Sequence, residues 1–258
     1  MRPDETPETP PPAFRFELGE RVRVLTHPAQ PAVAVLERWP GEAWNDVYDE
    51  PIYAVSGFVT RQRESSLARE GSLAIPLDPP TGWRTAGHGE PRRVASGTVE
   101  SSGGPGIVWY TREAFEDFVL TVDWRLVSPD DNSGVFIRIP PLGSGDPDRD
   151  WKPAVDEGYE IQIDDRGVDR DRGTTGSALH MSGAISRRSP ARRAASRPVG
   201  RWNTFEIEAR GPTVAVRLNG VAVSTLDDPH GRRGGHVGLQ CHHAGSRVAF
   251  RNLQVVRR

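Results

Sequence analysis

One cysteine, two methionines and a single lysine mark this 258-residue chain by what it has little of. Cys241 has no second cysteine to pair with, which excludes an intrachain disulfide framework and leaves the redox compartment open. Lys152 is the only lysine; arginine supplies the rest of the positive charge, which reads as a coding bias. A net charge of −2 gives no bulk attraction for nucleic acid or an anionic membrane, and neither is an expected partner. Met1 to Pro12 is rich in Pro and Glu and has no apolar stretch, so it is neither a signal peptide nor a membrane span. The expected location is cytoplasmic, unless a leader has been removed. Long amphipathic helical patterns and strand–helix alternation are also missing, which argues against a Rossmann fold or a TIM barrel.

What is present reads as all-β. Residues 1–13 are expected to be a disordered tail. Residues 14–70 carry short strand candidates at Arg21–Leu25, Val33–Leu36 and Ile52–Thr60, with Trp39, Trp44 and Tyr48 between them. Close spacing of this kind suggests a small SH3-like barrel. Its expected role is to hold a protein or peptide partner, with simple packing on its neighbour as the equal alternative. Gly71 to Pro80, with Pro76, Pro79 and Pro80, is the expected linker.

From residue 81 to 258, strand candidates follow one another: Ile107–Tyr110, Phe118–Leu126, Gly134–Ile139, Tyr159–Asp164, Thr204–Arg210, Thr213–Leu218, Val237–His242 and Val248–Val255. Phe118, Leu120, Val122, Trp124 and Leu126 alternate with polar or small partners, as a half-buried strand requires. Asn219-Gly220 between two apolar runs is a strong hairpin signal. Two-faced strands in this number imply a sandwich of two antiparallel sheets.

One strand stands out. In Tyr159-Glu160-Ile161-Gln162-Ile163-Asp164, one face is apolar and the other presents two carboxylates and an amide. A plain surface strand favours Thr, Lys or Arg there; a row of acceptors suits the floor of a sugar site. Same-face positions lie about 6.5–7 Å apart, which puts Glu160 and Asp164 about 13 Å apart at Cα. That is too far for the paired carboxylates of a retaining glycosidase, which sit about 5–5.5 Å apart.

Ordered strings then carry a resemblance. They are Gly82-Trp83, Ile107-Val108-Trp109, Asp117-Phe118-Val119-Leu120, Asn132-Ser133-Gly134-Val135-Phe136, Gly158-Tyr159-Glu160-Ile161-Gln162, Thr175-Gly176, Trp202-Asn203, Leu218-Asn219-Gly220, Gly238-Leu239-Gln240 and Phe250-Arg251-Asn252. In this order and spacing, residues from about 80 to 258 resemble the 3-keto-disaccharide hydrolase domain family. The resemblance implies a concanavalin A-like jelly-roll sandwich that binds a carbohydrate or glycoside on its concave sheet and cleaves 3-keto-glycosides. The alternative class is a non-catalytic carbohydrate-binding module or an interaction scaffold. Relatives usually carry an acidic residue and His-Gly after Gly-Leu-Gln, where this chain has Cys241-His242-His243; they tend to have Tyr near the place of His180.

The chemistry implied needs a base, an acid for the leaving oxygen, and a positive group or metal for the enolate. Glu160 is the candidate base or metal ligand, and His180 the candidate general acid or metal ligand. Gln162, Asn132, Gln240 and His242 are candidate sugar contacts, Asp164 is left uncertain beside them, and Trp109 and Trp151 are candidate stacking platforms, with core or rim packing as the alternative. Arg138 shares a face with Gly134 and Phe136 on an alternating strand, so it is expected to reach the cleft or to pair with Glu160. A divalent metal ion stays open as cofactor. Asp146, Asp148, Asp150 and Glu157 fall at calcium-loop positions, but Trp151 replaces the required glycine and Pro153 follows, so a solvated loop is preferred. The arginines from Arg187 to Arg201 read as solvated loop charge, and Cys241 as a core residue.

Overall fold

A computed structural model describes residues 14–24, 29, 31–40, 51–71, 73–74, 82–95, 97–143 and 145–258. The expected tail at 1–13, Trp44 and Tyr48 lie outside the described residues. The chain divides into two compact units, Met1–Glu70 and Gly71–Arg258.

The first unit is a five-stranded antiparallel sheet. Its strands are β1 (Arg21–Val24), β2 (Ala32–Trp39), β3 (Ile52–Val55), β4 (Gln62–Arg63) and β5 (Leu67–Arg69), in the order β4-β3-β2-β1-β5. Val22, Val24, Val33, Val35, Tyr53, Val55 and Leu67 close a small core around Phe16. The Tyr53 hydroxyl donates to Glu64 Oε2 at 2.5 Å, and the same carboxylate oxygen accepts from the Arg15 amide at 3.0 Å. This pair pins the start of the unit to β3 and to the turn between β4 and β5.

The second unit is a two-layer β-sandwich. Its elements are β6 (Leu73–Ala74), β7 (Trp83–Gly89), β8 (Arg92–Ala95), β9 (Thr98–Ser101), β10 (Gly103–Tyr110), β11 (Phe118–Leu126), β12 (Ser133–Ile139), α1 (Lys152–Glu157), β13 (Tyr159–Ile163), β14 (Asn203–Arg210), β15 (Thr213–Leu218), β16 (Val221–Asp227), β17 (His236–Cys241) and β18 (Val248–Arg257). One sheet runs β13-β12-β17-β10-β7; the other runs β16-β15-β14-β11-β18-β9-β8, with β6 paired to β18. Within the segment expected as linker, Leu73 and Ala74 therefore form a strand, pairing with Val255 and Gln254.

Alternation builds the core between the layers. Leu120, Val122 and Trp124 of β11 and Phe205 and Ile207 of β14 meet Val135 and Ile137 of β12 and Tyr159, Ile161 and Ile163 of β13. The Asn219-Gly220 turn joins β15 to β16 with φ of 51° and 80°, the left-handed pair that a two-residue hairpin needs. Asn219 also accepts the Thr204 amide through Oδ1 at 2.9 Å, tying the turn to β14.

A second apolar cluster covers the outer face of the smaller sheet. Ala86, Ile107, Trp109, Phe136, Ile139 and Ala154 pack together under α1, with Trp151 and Val155 against them. β12 is consequently buried on both faces along its whole length.

That strand also departs from simple alternation. Ile137 points into the main core while Phe136 and Ile139 join the outer cluster, so Arg138 between them is an extra residue. Its φ is +53°, and the pairing of β12 with β17 shifts register between Phe136 and Ile139. The bulge turns Arg138 away from the face it was expected to share with Gly134 and Phe136.

Candidate functional site

The outer face of β13 is the floor of a cleft of about 780 Å³. Glu160, Gln162, Gln240, His180, Arg187 and Trp151 are among the residues that line it. The walls are the loops around Val168–Arg172 and Leu179–His180, the segment Ser186–Arg187, Trp151 with Val155 of α1, and Cys241 at the end of β17 with His242 and His243 after it.

Register brings the floor together. Gly134 pairs with Gln162 and Phe136 with Glu160 across β12 and β13, while Val135 pairs with Leu239 of β17. Glu160 lies over Gly134: a Cβ added there would come within 2.7 Å of Glu160 Oε1. Glycine at this position is what lets the carboxylate lie flat on the sheet.

Glu160 has lost most of its water. Burial pushes its pKa up to about 7, against the opposing pull of Arg187 and hydrogen bonds to the Ser186 and Gln240 side chains. The segment that carries Ser186 and Arg187 runs along the free edge of β13. The Gln162 amide donates to Ala184 O at 2.9 Å, and the Ser186 amide donates to Glu160 O at 2.8 Å. Arg187 follows in a left-handed backbone conformation, φ 59°, and also lines a smaller hollow of about 240 Å³ with Glu160, Ser186 and Arg188.

Gln162 is nearly buried on the floor, and its Nε2 donates to Asn132 Oδ1 at 3.0 Å. Asn132 Nδ2 donates in turn to Asp164 Oδ2 at 3.1 Å. Asp164 does not face the cleft. Its carboxylate accepts the amides of Arg166, Gly167 and Val168 at 2.9, 3.0 and 2.9 Å, which fixes the turn leading into the cleft wall. It is a support for the loop, and the uncertain sugar contact expected of it gives way to that role.

His180 lines the cleft with its Nδ1 held 2.9 Å from Ser177 Oγ. His242 and His243 both line it, with their Nδ1 atoms 2.8 Å apart. Burial, with Arg170 and His243 adding to it, pushes the pKa of His242 down to about 4, so the ring is neutral near pH 7. Two buried polar atoms on the walls, Trp151 Nε1 and Gln240 Oε1, have no protein partner.

Two expected contacts lie elsewhere. Arg138 has no exposed surface; its guanidinium donates to Glu116 O at 2.9 Å, Gly211 O at 2.8 Å and Arg232 O at 3.2 Å. The bulge in β12 accounts for this, and the residue ties loops together rather than binding a ligand or Glu160. Trp109 is 6% exposed and packs edge-on to His236 in the outer cluster, so it offers no stacking face to the cleft. Trp151 is the tryptophan on the cleft wall.

Three acidic side chains of the segment leading into and through α1 are in ion pairs. Asp148 pairs with His88 at 2.8 Å, Glu157 with Arg232 at 3.0 Å and Asp146 with Arg149 at 3.8 Å. Among the described residues no group of three or more His, Cys, Asp and Glu converges as a metal-ligand set. Cys241 is buried with its thiol pushed up to about 11.

Sequence reasoning missed Arg187, Ser186, Arg170 and His243. Arg187 was grouped with a solvated arginine run. The only hint of its position was Ile185, an apolar residue that bridges to Ile161 at the β13 edge. His243 adjoins a residue already singled out, but which way each ring turns after β17 is not a matter of sequence period.

A family model described as the 3-keto-alpha-glucoside-1,2-lyase-like domain matches residues 78–256. No curated protein matches the chain. A solved structure from Parabacteroides distasonis ATCC 8503, provisionally described as a glycosyl hydrolase, is 17% identical, with 73% of this chain and 89% of that one covered and a TM-score of 0.54. A second from the same organism, with the same description, is 24% identical, with 73% and 94% covered and a TM-score of 0.51. These two share the fold. The family match spans well over half the sequence and takes in the whole cleft, and on that ground the chain belongs to the 3-keto-alpha-glucoside-1,2-lyase-like domain family.

Proposed function

We propose that residues 71–258 cleave 3-keto-glycosides by removing the proton at C2, next to the keto carbon, with Glu160 as the base. The observation that carries this reading is Glu160 itself, a carboxylate on a cleft floor whose pKa is raised to about 7. A carbonyl at C3 acidifies the hydrogen at C2. Its loss to Glu160 expels the oxygen on C1, and water added back at C1 completes a net hydrolysis. A base with a pKa near the working pH combines correct ionisation with proton affinity.

The other groups fall into supporting roles. Arg187 beside Glu160 supplies positive charge for the enolate oxygen as it develops. Gln162 and Asn132 present amides to sugar hydroxyls. Trp151 Nε1 and Gln240 Oε1 are a donor and an acceptor that the protein leaves unused. The acid for the leaving oxygen is an imidazole on the wall, His180 or His242.

Incubation with a 3-keto-glucoside tests the reading. Wild-type protein is expected to release the aglycone. Glu160→Gln is expected to lower kcat by about 10²–10⁴-fold, the range for loss of a general base, with little change in KM. Equal turnover by both proteins would remove Glu160 from the mechanism. Saturable glycan binding without product would make the cleft a binding module.

A further inference from the structure

We propose that His242 and His243 form a two-imidazole proton relay for the oxygen at C1: His242 protonates the leaving oxygen and later deprotonates the incoming water, while His243 supplies and takes back the proton. This rests on the elimination chemistry proposed above and assigns its acid.

The geometry starts with the two Nδ1 atoms, 2.8 Å apart. Only one proton fits between two nitrogens at that distance, so one ring donates and the other accepts. The two rings therefore hold complementary tautomers, and they exchange when the shared proton crosses as one ring loses its Nε2 proton and the other gains one. Among the described residues, the charged and titratable groups acting on His242 are Arg170 and His243. His242 works as a neutral ring. A neutral imidazole that gives up its Nε2 proton would become an imidazolate unless Nδ1 is protonated at the same time. His243 is placed to do that.

Position supports the role. Gln240 hydrogen-bonds Glu160, and His242 lies two residues further on, on the same cleft. Glu160 on the floor and His242 on the wall just past the end of β17 thus open on the same cleft, where a pyranose would lie. His180 lacks such a source, since its Nδ1 meets the Ser177 hydroxyl.

The protons balance over both halves of the reaction. In elimination, C2–H gives its proton to Glu160, the C1–O bond breaks, and the leaving oxygen takes the Nε2 proton of His242. His242 Nδ1 takes the proton of His243 Nδ1, and His243 Nε2 takes one from water. In hydration, water adds to C1, its proton goes to His242 Nε2, and Glu160 returns a proton to C2. The shared proton moves back to His243, which releases its Nε2 proton. Both rings end as they began.

Leaving-group dependence tests the relay, with His243→Asn compared against wild type on two 3-keto-glucosides. The rate read is aglycone release in a single turnover, before the shared intermediate is hydrated. A methyl glycoside needs its leaving oxygen protonated, and the variant is expected to release it about tenfold or more slowly. A 4-nitrophenyl glycoside leaves without a proton, and its release is expected to stay within about twofold. Equal loss on both substrates, or loss on neither, would overturn the relay. Nitrogen NMR of wild-type protein labelled in histidine is expected to show one of the two rings protonated at Nδ1 and the other at Nε2. Two rings in the same tautomer would overturn the relay whatever the activity. If wild type turns over neither glycoside, the elimination reading fails, and the tautomers alone decide whether the pair is coupled.

Discussion

Glu160 sits where its own ionisation is opposed. The native state holds its proton up to about pH 7, against an ordinary value of 4.5 for the free side chain. Between those limits the folded chain binds more protons than the unfolded one, so this group's contribution to stability falls as pH rises. Below the lower limit both states are protonated and the penalty is gone. Glu160→Gln carries no charge and is expected to be more stable than wild type near pH 8 and about equal near pH 4. One pKa unit corresponds to about 1.4 kcal/mol; since the side chain keeps some contact with water, the gain at high pH is discounted to ~1–2 kcal/mol. Thermal unfolding of both proteins from about pH 4 to pH 8 checks it, and a gap that is constant across that range would refute it. In the same window, wild-type kcat/KM on a 3-keto-glucoside is expected to rise with pH through about 7, as the base ionises. The alternation of residues 159–164 was enough to place Glu160 and Gln162 on the outer face. It could not show how far Glu160 is desolvated, because that depends on Ser186 and Arg187 arriving from a segment some twenty-five residues away.

At the scale of elements, the cleft depends on how loops are anchored to β13. Asp164 ends the polar row, and its carboxylate collects three loop amides and the Asn132 side chain. Asp164→Ala leaves those amides without an acceptor, and hydrogen bonds to a buried charge are worth about 1.5–3 kcal/mol each. The expected result is a loss of about 2–4 kcal/mol, with the loop itself the first part to loosen. Raised KM with kcat less affected, together with faster amide exchange in residues 165–169, would fit; unchanged stability would show that the turn holds itself. Asp164 shows how far period-2 reasoning reaches. Period 2 put Asp164 on the face of Glu160 and Gln162, but β13 ends at Ile163, and a short acidic side chain at a strand end finds local backbone amides before any ligand. Arg138 shows the opposite failure. Its strand reads as regular, and nothing in Gly-Val-Phe-Ile-Arg-Ile announces the bulge that turns the guanidinium onto the Glu116, Gly211 and Arg232 carbonyls. Bulges are set by pairing with a neighbouring strand, here β17, about a hundred residues away in sequence.

At the scale of the molecule, two-faced strands and the Asn-Gly turn were legible because side-chain alternation and left-handed turns are local. β7, β8 and β9 were not read: β7 contains two glycines, β8 is exposed throughout, and β9 is only four residues long, so none carries much periodic signal. β6 was hidden for a similar reason, lying in a segment rich in proline. Its pairing with β18 decides where the second unit can be cut. Among the described residues, those lining the cleft all belong to this unit, from Pro105 onward. A chain starting at Gly71 keeps β6 and is expected to match the full-length protein in kcat and KM on a 3-keto-glucoside. A chain starting at Thr81 loses two paired residues at the edge of β18, a cost of about 1 kcal/mol or 2–4 °C in melting temperature for a unit of this size. Its catalytic constants are expected to stay the same, because β18 belongs to the sheet that does not carry the cleft. Thermal denaturation and steady-state kinetics of the three lengths decide the matter. Loss of turnover in the chain starting at Gly71 would mean that residues 1–70 contribute to the reaction, and equal melting of the two shorter chains would mean that the β6 pairing adds nothing.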